Sequence, residues 1–573
     1  MAMKLKSLLG TITMALVGVS VFLMACASEA PTATPVQPAQ PAPPVAPTAA
    51  PAAAPTVASG APAPTAAVPT PTVARLLPTP TPVVTTGKPT YGGNLRWGGA
   101  YGVATLDPIS ARVNPERPNM WALYNTLVAY GADFGIQPSL AESWQVSADG
   151  KSLTFKLRTG VKFHDGTEFN AQAVKFNFDR VLNPNNFATQ RTLWTDVLLG
   201  VDVVDQNTVT FRIKDRFRPF LAQLADVYNN VGMASPTAVA KYGDKYASNP
   251  VGTGAYKLQE WRYGDRILMV ANRDYWEKGP PYLDQITALS IPDSNTRIAM
   301  LRTGEVEIED QILPTQLEVI QKNPNLKMVS YNSCRFYGLY MVVDRAPWNN
   351  KALRQAVAYG VDRKRLVNVL AQGQGRPGYS PGGDCFWWSN PGLKVYDYDP
   401  VKAKDKLKEA GFPNGIEVNY WVPSSTDFLQ EAEVYQAILS EVGIKLKVNQ
   451  VPNIGTIRIV QELNAQFGAT NFVPRADPHG QLQVLFHSTG GANFAKYNNP
   501  EVDRLLDQAV TLYDQAETKK LYDQVQQIIV EDVAGRALVT YFRTEFTGMS
   551  SRVQNYVDIP DRMLRFKDLW MRQ

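Results

Sequence analysis

Several residue types that carry chemistry are scarce in this chain of 573 residues. It has three cysteines and three histidines, and beyond its first 25 residues no apolar run is long enough for a membrane-spanning helix. The zinc-binding sequence His-Glu-x-x-His and the Gly-x-x-x-x-Gly-Lys-Ser/Thr phosphate loop are absent. These absences argue against metalloproteases and P-loop enzymes, and we expect neither a metal nor another cofactor.

Concentrated positive charge is also missing. The formal net charge is +5, and lysine and arginine are spread along the chain rather than gathered in blocks. Nucleic-acid binding requires a basic patch or stripe. The sequence therefore predicts no nucleic-acid partner.

The first 25 residues have the pattern of a signal peptide. Lys4 and Lys6 precede an uncharged apolar run over residues 8–23, which is short for a bilayer span. The run ends at Leu23-Met24-Ala25-Cys26, which resembles the cleavage box of bacterial lipoproteins. That resemblance implies a lipidated Cys26 at the extracytoplasmic face of a membrane, inner or outer. Ordinary secretion with a plain thiol at position 26, or a retained anchor, are the alternatives.

A linker follows the leader. Residues 26–89 are mostly Pro, Ala, Thr and Val, without aromatic residues or apolar periodicity. Such a composition buries too little surface to offset its ordering entropy, and proline favours extended polyproline II. About sixty residues at roughly 3.1 Å each would reach on the order of 190 Å. We interpret this segment as a disordered, semi-stiff spacer.

The remaining residues have ordinary globular composition with α and β patterns. At roughly 480 residues they exceed one compact core, so at least two lobes are expected. Alternating apolar residues predict strands at 153–157, 208–213 and 444–448. Apolar residues at helical spacing predict helices after Asn350 and after Asn499, and a further helix around residues 521–529.

Two cysteines remain outside the leader, Cys334 and Cys385. In an oxidising compartment they can form a disulfide that closes a loop of about fifty residues, worth roughly 3 to 4 kcal/mol in the chain-entropy model. Two buried, unpaired thiols are the alternative, and the sequence leaves both open.

A series of short segments resembles the peptide/nickel-binding family (family 5) of extracytoplasmic solute-binding lipoproteins that serve ABC importers. The segments lie in the family's order from about residue 91 to residue 540. They include Tyr91-Gly92-Gly93-Asn94-Leu95, Leu140-Ala141-Glu142-Ser143-Trp144, Val161-Lys162-Phe163-His164-Asp165-Gly166, Pro250-Val251-Gly252-Thr253-Gly254-Ala255-Tyr256, Asn272-Arg273-Asp274-Tyr275-Trp276, Leu353-Arg354-Gln355-Ala356 and Tyr497-Asn498-Asn499-Pro500-Glu501.

The resemblance implies an α/β, two-lobed periplasmic-binding-protein-like fold of type II. Lobe I would take residues 90–333, with an extra subdomain at about 140–224, and the chain would return to it at 540–573. Lobe II would take residues 334–539. The implied function is capture of a peptide-like or other small organic solute in the cleft and delivery to the permease subunits of an ABC importer, by a monomer that catalyses nothing.

Other functions stay open at this stage. Oligosaccharides and nickel chelates are alternative ligands within the family, and an exported hydrolase or a ligand-presenting sensor would belong to a different class. His164 stands in a Phe-His-Asp-Gly segment after a strand, which predicts a polar turn rather than a catalytic or metal site. His479 and His487 are the candidate nickel ligands, but one or two histidines make a poor coordination set.

The family's anchors for a free dipeptide are not evident here. Dipeptide-type members use an aspartate three residues before an Asp-Pro pair, and this chain has Pro474 at that position. Those members also place an arginine where Thr426 stands. The resemblance therefore argues against a dipeptide specialist.

Candidate ligand-binding residues come from four places: a segment after a probable edge strand, the Gly/Pro-rich loop beside Cys385, the end of a likely strand near residue 421, and the segment 471–479. Arg475 can bind an anionic or carbonyl-rich ligand through two hydrogen bonds, or form an ion pair between lobes. Aromatic faces can stack on sugar rings or apolar side chains, or fill the core of lobe II. The full candidate set is Tyr101, Phe386, Trp387, Trp388, Trp421, Phe472, Arg475 and Asp477.

Overall fold

The computed structural model describes residues 87–99, 102–111, 117–131, 134–424, 426–451, 463–473, 475–556 and 564–572. Helices and strands alternate through these residues, which confirms the expected α/β class. No helix in the described part of the chain combines the length and apolar character needed to cross a bilayer.

Nineteen strands are described. They are β1 (Asn94–Gly99), β2 (Val128–Tyr130), β3 (Ile136–Pro138), β4 (Ala141–Val146), β5 (Ser152–Leu157), β6 (Leu198–Asp205), β7 (Thr208–Ile213), β8 (Tyr256–Arg262), β9 (Arg266–Ala271), β10 (Gln285–Ser290), β11 (Ile308–Glu309), β12 (Leu326–Met341), β13 (Gly375–Pro377), β14 (Ile416–Pro423), β15 (Ile444–Val451), β16 (Phe467–Phe472), β17 (Leu538–Ser550), β18 (Val553–Gln554) and β19 (Trp570–Met571).

The α-helices of the described residues lie mostly between these strands. They are α1 (Arg117–Leu123), α2 (Ala171–Leu182), α3 (Arg191–Val197), α4 (Phe220–Ala225), α5 (Pro236–Tyr242), α6 (Ser294–Thr303), α7 (Leu317–Gln321), α8 (Lys351–Gly360), α9 (Arg363–Leu370), α10 (Pro400–Glu409), α11 (Thr426–Ser440), α12 (Leu482–Phe486), α13 (Pro500–Ala509) and α14 (Gln515–Glu531).

One large sheet runs through the molecule in the order β15-β14-β16-β12-β17-β11-β1-β10-β9-β8, with β13 paired to β17. The strands β8–β11 and β1 pack into a core with Leu95, Ile286 and Met549, and we call this part lobe I. The strands β14–β16 and the helices α8–α14 surround a second core with Leu339 and Val539, and we call this part lobe II.

Two strands connect the lobes. The first half of β12 and the second half of β17 belong to lobe I. The second half of β12 and the first half of β17 belong to lobe II. The two strands pair antiparallel along almost their whole length, with a register shift between Asn332 and Phe336. A bulge interrupts the ladder and bends the strand locally. The chain therefore crosses between lobes at a pair of strands with an irregularity at the crossing.

A separate four-stranded sheet, in the order β4-β5-β7-β6, extends lobe I. Helix α2 and Trp194 of α3 pack on it and form a third core with Phe155, Phe178 and Phe211. Rings in this core meet edge to face, for example Phe178 and Phe211 with centroids 4.8 Å apart. We call this unit the β4–β7 subdomain.

The predicted elements of secondary structure are confirmed. The expected strands correspond to β5, β7 and β15, and the expected helices to α8, α13 and α14. Asn350 caps α8 by accepting from the Leu353 amide, and Asn499 caps α13 in the same way. The apolar residues used to predict the three helices face the core of lobe II, and those of β5 and β7 face the core of the β4–β7 subdomain, as the periodicity of helices and strands requires.

Candidate functional site

The β4–β7 subdomain meets lobe II through the segment between β7 and α4. The amide of Arg218 donates to the carbonyl of Val510, with an N–O distance of 2.7 Å. The ring of Phe217 contacts the ring of His479 edge to face, with centroids 4.9 Å apart. These contacts define a surface at which the two lobes touch, which we call the interlobe surface.

An ion pair crosses this surface between Arg218 and Asp477. The Nη1 atom of Arg218 lies 2.7 Å from Oδ2 of Asp477, and the two side chains are 14% and 8% exposed. Arg218 also donates to the hydroxyl of Tyr522 at 3.3 Å, and its guanidinium lies 5.3 Å from the centre of the Trp387 ring. Burial disfavours the charged guanidinium, but Asp477 and the Tyr522 hydroxyl together outweigh this and raise the pKa of Arg218.

A second ion pair crosses the interlobe surface, and here lobe II supplies the cation and lobe I the anion. The Nη1 atom of Arg475 in lobe II lies 3.1 Å from Oδ2 of Asp226, which follows α4. Arg117 of α1 approaches the same Asp226 oxygen at 3.3 Å. Two guanidinium groups thus share one carboxylate, and Arg475 remains 29% exposed. A guanidinium that is partly exposed can also offer two N–H groups to a carboxylate.

The aromatic loop of lobe II, residues 378–393, supplies the apolar part of the interlobe surface. Phe386 contacts Phe134, at the tip of the β2–β3 hairpin of lobe I, with centroids 5.4 Å apart. Trp387 packs edge to face on Tyr522 of the same lobe, with centroids 6.1 Å apart, and its ring faces the guanidinium of Arg218 from the β4–β7 subdomain. Both rings therefore lie at the contact between lobes.

A disulfide between Cys334 and Cys385 ties this loop to β12 at the point where the strand crosses between lobes. The Cα atoms are 5.7 Å apart, and Cys334 is almost fully buried. Arg376 of β13 lies beside the bond, with Nη2 3.4 Å from the Cys385 sulfur and Nη1 3.1 Å from the carbonyl of Ser333.

Two further arginines of lobe II converge on Asn471, near the end of β16. Arg335 donates to the Asn471 side-chain oxygen at 3.0 Å, and Arg536 donates to its carbonyl at 2.7 Å. Within the described residues, neither guanidinium has a carboxylate partner; both lie against aromatic rings instead. Burial lowers the pKa of Arg536 to about 9. A positive charge without a counter-ion is costly to bury, so this place favours an anion.

The structure separates the predicted aromatic residues into two groups. Phe386, Trp387 and Phe472 lie near the residues of lobe II just described. Trp388 is 0% exposed and stacks on the inner face of Phe386, so it belongs to the core of lobe II. Trp421 of β14 packs instead against Val451 and Ala465, in a small cluster of its own.

Arg475 and Asp477 lie at the interlobe surface, both in ion pairs with lobe I. Asp477 also accepts from the amide of His479 and so begins the turn that leads into α12. Three other positions named from the sequence, Cys26, Tyr101 and Pro474, lie outside the described residues. Thr426 is the first residue of α11.

The histidines have structural partners. His164 accepts from the Gly252 amide through Nδ1 and contacts the Gly254 carbonyl through Nε2, within the predicted turn. Burial lowers its pKa from 6.5 to about 4, and burial lowers the pKa of His479 to about 4 as well. His487 contacts Asp507 at 3.3 Å. Searched over the described residues, no group of three His, Cys, Asp or Glu side chains is arranged to hold a metal ion.

Residues 378–382 have the spacing Gly-x-Ser-x-Gly, a feature that our reading of the sequence missed. In hydrolases this elbow joins a strand to a helix and exposes the serine. Here β13 precedes the segment but no helix follows it, and Ser380 is buried. A nucleophile elbow also needs a histidine beside the serine, and the contacts described for the three histidines are with residues other than Ser380. The segment is therefore a structural loop rather than a nucleophile elbow.

Sequence reasoning also missed the half of the interlobe surface that lobe I supplies. Arg218, Asp226 and Phe134 stand in loops without a recognisable motif. The local sequence offers a run of charged residues around Phe217, but such a run does not by itself predict an interlobe contact. Their partners lie about 250 residues further along the chain.

Comparison with known proteins gives consistent results. The profile for bacterial extracellular solute-binding proteins, family 5 Middle, matches residues 135–493. The glutathione-binding protein GsiB of Shigella flexneri is 33% identical over 477 residues, which cover 81% of this chain and 92% of that protein.

Two solved structures of binding proteins have a similar fold. The periplasmic binding protein DppA of Helicobacter pylori, in complex with the peptide STSA, has a TM-score of 0.75 at 26% identity and covers 84% of this chain and 99% of its own. The binding protein AgaA of A. tumefaciens R10, in complex with agropinic acid, has a TM-score of 0.72 at 27% identity, with the same coverage of both chains.

Proposed function

The chain belongs to the bacterial extracellular solute-binding proteins of family 5, and we propose from this premise that it captures a peptide-like solute carrying at least one carboxylate. As a family member it is a receptor that delivers its solute to an ABC importer. The proposal adds the chemical class of the solute, and the observation that carries it is the pair of guanidinium groups at Asn471.

The charge pattern of lobe II supports a carboxylate. Arg335 and Arg536 both reach Asn471 and, in the described part of the chain, face no carboxylate. Arg475, four residues after Asn471, shares its partner Asp226 with Arg117. Arginine binds carboxylates in a planar, two-bonded geometry, which is stronger than a neutral hydrogen bond. An entering carboxylate would therefore gain contacts that lobe II does not satisfy by itself.

The relatives supply suitable probes. One is named for binding glutathione, one was solved with a short peptide and one with agropinic acid. Glutathione is a peptide with two free carboxylates, so it suits a surface with several arginines. A free dipeptide is a weaker candidate, because Pro474 stands where dipeptide receptors have their ammonium-binding aspartate.

The two ion pairs between the lobes support closure of the lobes over the solute, because each lobe supplies one cation and one anion. We propose lobe boundaries at residues 90–333, 334–539 and 540–573, with the extra subdomain at about 140–224 and the hinge where β12 and β17 cross. A solute shifts the lobes towards the closed state only by its additional contacts with that state. Arg218 and Asp226 from lobe I, with Asp477 and Arg475 from lobe II, would close over a solute in this region.

We also propose that the receptor is a monomer attached to the membrane through a lipid on Cys26. The support for the lipid anchor is the leader sequence, with its short apolar run and the Leu-Met-Ala-Cys box. A lipid anchor followed by a long Pro/Thr-rich spacer would let the folded part reach an importer without spanning the membrane itself.

Thermal-shift screening followed by calorimetry tests the proposed solute class. Purified protein is exposed to glutathione, linear tripeptides, the same compounds with amidated carboxyl groups, oligosaccharides and a nickel–histidine complex. We expect a rise in melting temperature with a free-carboxylate peptide, less with its amide, and a loss of most of this difference in Arg335→Gln. Equal binding of free and amidated peptides, or a response to sugars or nickel alone, would refute the proposed class.

A rival from another class is a sensor or a hydrolase. The identity of the recovered solute separates these functions: a receptor returns it unchanged, whereas a hydrolase returns cleaved products. Uptake of the solute in cells that carry the partner importer then distinguishes transport from sensing.

A further inference from the structure

The Cys334–Cys385 disulfide lies in an unusual place for a purely structural bond. Cys334 is on β12, within the register shift at the crossing between lobes. Cys385 directly precedes Phe386, whose ring contacts Phe134 of lobe I. A single covalent bond therefore joins the crossing strand to the loop that forms the apolar interlobe contact.

The two sulfur atoms differ in their access to solvent. Cys334 is 1% exposed, whereas Cys385 is only partly buried and follows the exposed Asp384. Thiol–disulfide exchange begins when a thiolate attacks one sulfur, and access decides which sulfur is attacked. Cys385 is thus the sulfur that an external thiolate can reach, and Cys334 is the leaving group.

A positive charge stands beside the reachable sulfur. The Nη2 atom of Arg376 lies 3.4 Å from the Cys385 sulfur, and the guanidinium is held there by the Ser333 carbonyl at 3.1 Å and by Asp384. An adjacent cation stabilises a thiolate. Arg376 can therefore hold an anionic thiolate at Cys385 through its Nη2 hydrogens, while Asp384, whose Oδ1 lies 3.6 Å from the same sulfur, offsets part of the positive charge.

The rest of the aromatic loop is held without the disulfide. Ser389 donates to the Gly382 carbonyl at 2.7 Å and accepts from the Phe386 amide at 2.9 Å. Gln526 donates to the Trp388 carbonyl at 3.0 Å, and the Trp388 ring is enclosed in the core of lobe II. Opening the bond would then free Asp384 and Cys385 from β12 without unfolding lobe II.

We propose that Cys385 is a modification site for low-molecular-weight thiols at the edge of the interlobe surface. The thiolate RS⁻ attacks the Cys385 sulfur, a new RS–S bond forms, and the Cys334–Cys385 bond breaks. The electron pair of that bond leaves with Cys334 as a thiolate, which takes a proton from water. The product carries the thiol on Cys385 and has lost the covalent tie between β12 and the aromatic loop, so the interlobe contact responds to the thiol content of its surroundings.

Mass spectrometry of the oxidised full-length protein tests this inference. After incubation with reduced glutathione or with cysteine and quenching in acid, we expect the intact mass to rise by one whole thiol molecule. Digestion should place the adduct on the peptide with Cys385 and leave Cys334 free to react with an alkylating agent. No adduct on the native protein, when the denatured protein reacts readily, would overturn the proposal, as would an adduct on Cys334.

Arg376→Gln provides a second test. We expect exchange about tenfold slower, with an unchanged melting temperature of the oxidised protein, whereas Arg365→Gln, an exposed arginine of the same lobe paired with Glu441, should react at the wild-type rate. Equal rates in both variants would contradict the role given to Arg376. S-methylglutathione cannot exchange, so its binding tests the proposed solute class separately: either result can fail while the other holds.

Discussion

Arg218 and Asp477 are 259 positions apart in the chain, yet their side chains form an ion pair with an N–O distance of 2.7 Å. One residue belongs to the β4–β7 subdomain and the other to lobe II. Both are largely buried, so water screens the pair little and either charge is costly to leave alone. This pair joins the two lobes at the surface where we propose that the solute is held.

Asp477→Asn should weaken solute binding. Asparagine still caps the turn at His479 but cannot neutralise Arg218, so the closed state loses about 1 to 3 kcal/mol, or roughly a factor of 5 to 150 in affinity. Calorimetry with the best solute from the screen measures the change. Asp202→Asn breaks an exposed pair with Arg212 and serves as the control, with no change expected. Equal affinities for Asp477→Asn and the wild type would show that the pair does not favour closure.

Arg475→Ala should lower the affinity for a carboxylate-bearing solute by about 1 to 3 kcal/mol without unfolding the protein. The side chain is partly exposed, and Asp226 keeps Arg117 as a partner after the substitution. Arg475→Lys retains the charge without the planar geometry and should show an intermediate loss. If the affinity of the alanine variant is unchanged for every good ligand, Arg475 is not part of the site.

His164→Gln should make stability less sensitive to acid. Burial lowers the pKa of His164 to about 4, below its ordinary 6.5. Between these values the unfolded chain binds more protons than the folded one, so this histidine's contribution to stability is lost as the pH falls from 6.5 to 4. Glutamine keeps a donor and an acceptor but does not titrate.

The measurement for His164 is the stability of both proteins, followed as melting temperature from pH 8 to pH 4.5. On acidification we expect the free energy of unfolding of the wild type to fall by on the order of 1 to 2 kcal/mol more than that of the variant. This is less than the full change in pKa implies, because His164 is only partly buried. Between pH 7 and 8, where neither side chain titrates, the difference should be constant. Parallel curves over the whole range would contradict the depressed pKa.

Cys26→Ser should release the protein from membranes. If Cys26 carries the lipid, serine prevents its attachment and the protein appears in the soluble extracytoplasmic fraction. Fractionation and immunoblotting of cells that produce either form measure this. A serine variant that stays with the membrane would indicate that the apolar leader itself is retained as the anchor.

The local pattern of the sequence predicted the elements of the fold well. The alternation of Thr208 to Ile213 corresponds to β7, and the apolar positions from Val502 to Ala509 correspond to α13. Such patterns work because burial of one face of a strand or helix is a local requirement. The family resemblance added the two-lobed arrangement, which periodicity alone does not specify.

The candidate site was predicted only in part. Arg475 was named from its segment, but its partner Asp226 lies 249 positions earlier, in a loop with no pattern to connect the two. The aromatic triplet shows the same limit: Phe386 and Trp387 lie at the interlobe surface, whereas Trp388 is in the core. Neighbouring residues in a loop can face opposite sides, and only the tertiary fold decides which.

The distance between the two lobes, with and without solute, tests the central claim most directly. Spin labels at the exposed residues Val204 of the subdomain and Val401 of lobe II report this distance by double electron–electron resonance. With a saturating solute from the screen, we predict a shorter and narrower distance distribution than without it, and recovery of the solute unchanged. Identical distributions with the solute fully bound, or a solute recovered in altered form, would contradict capture between two closing lobes.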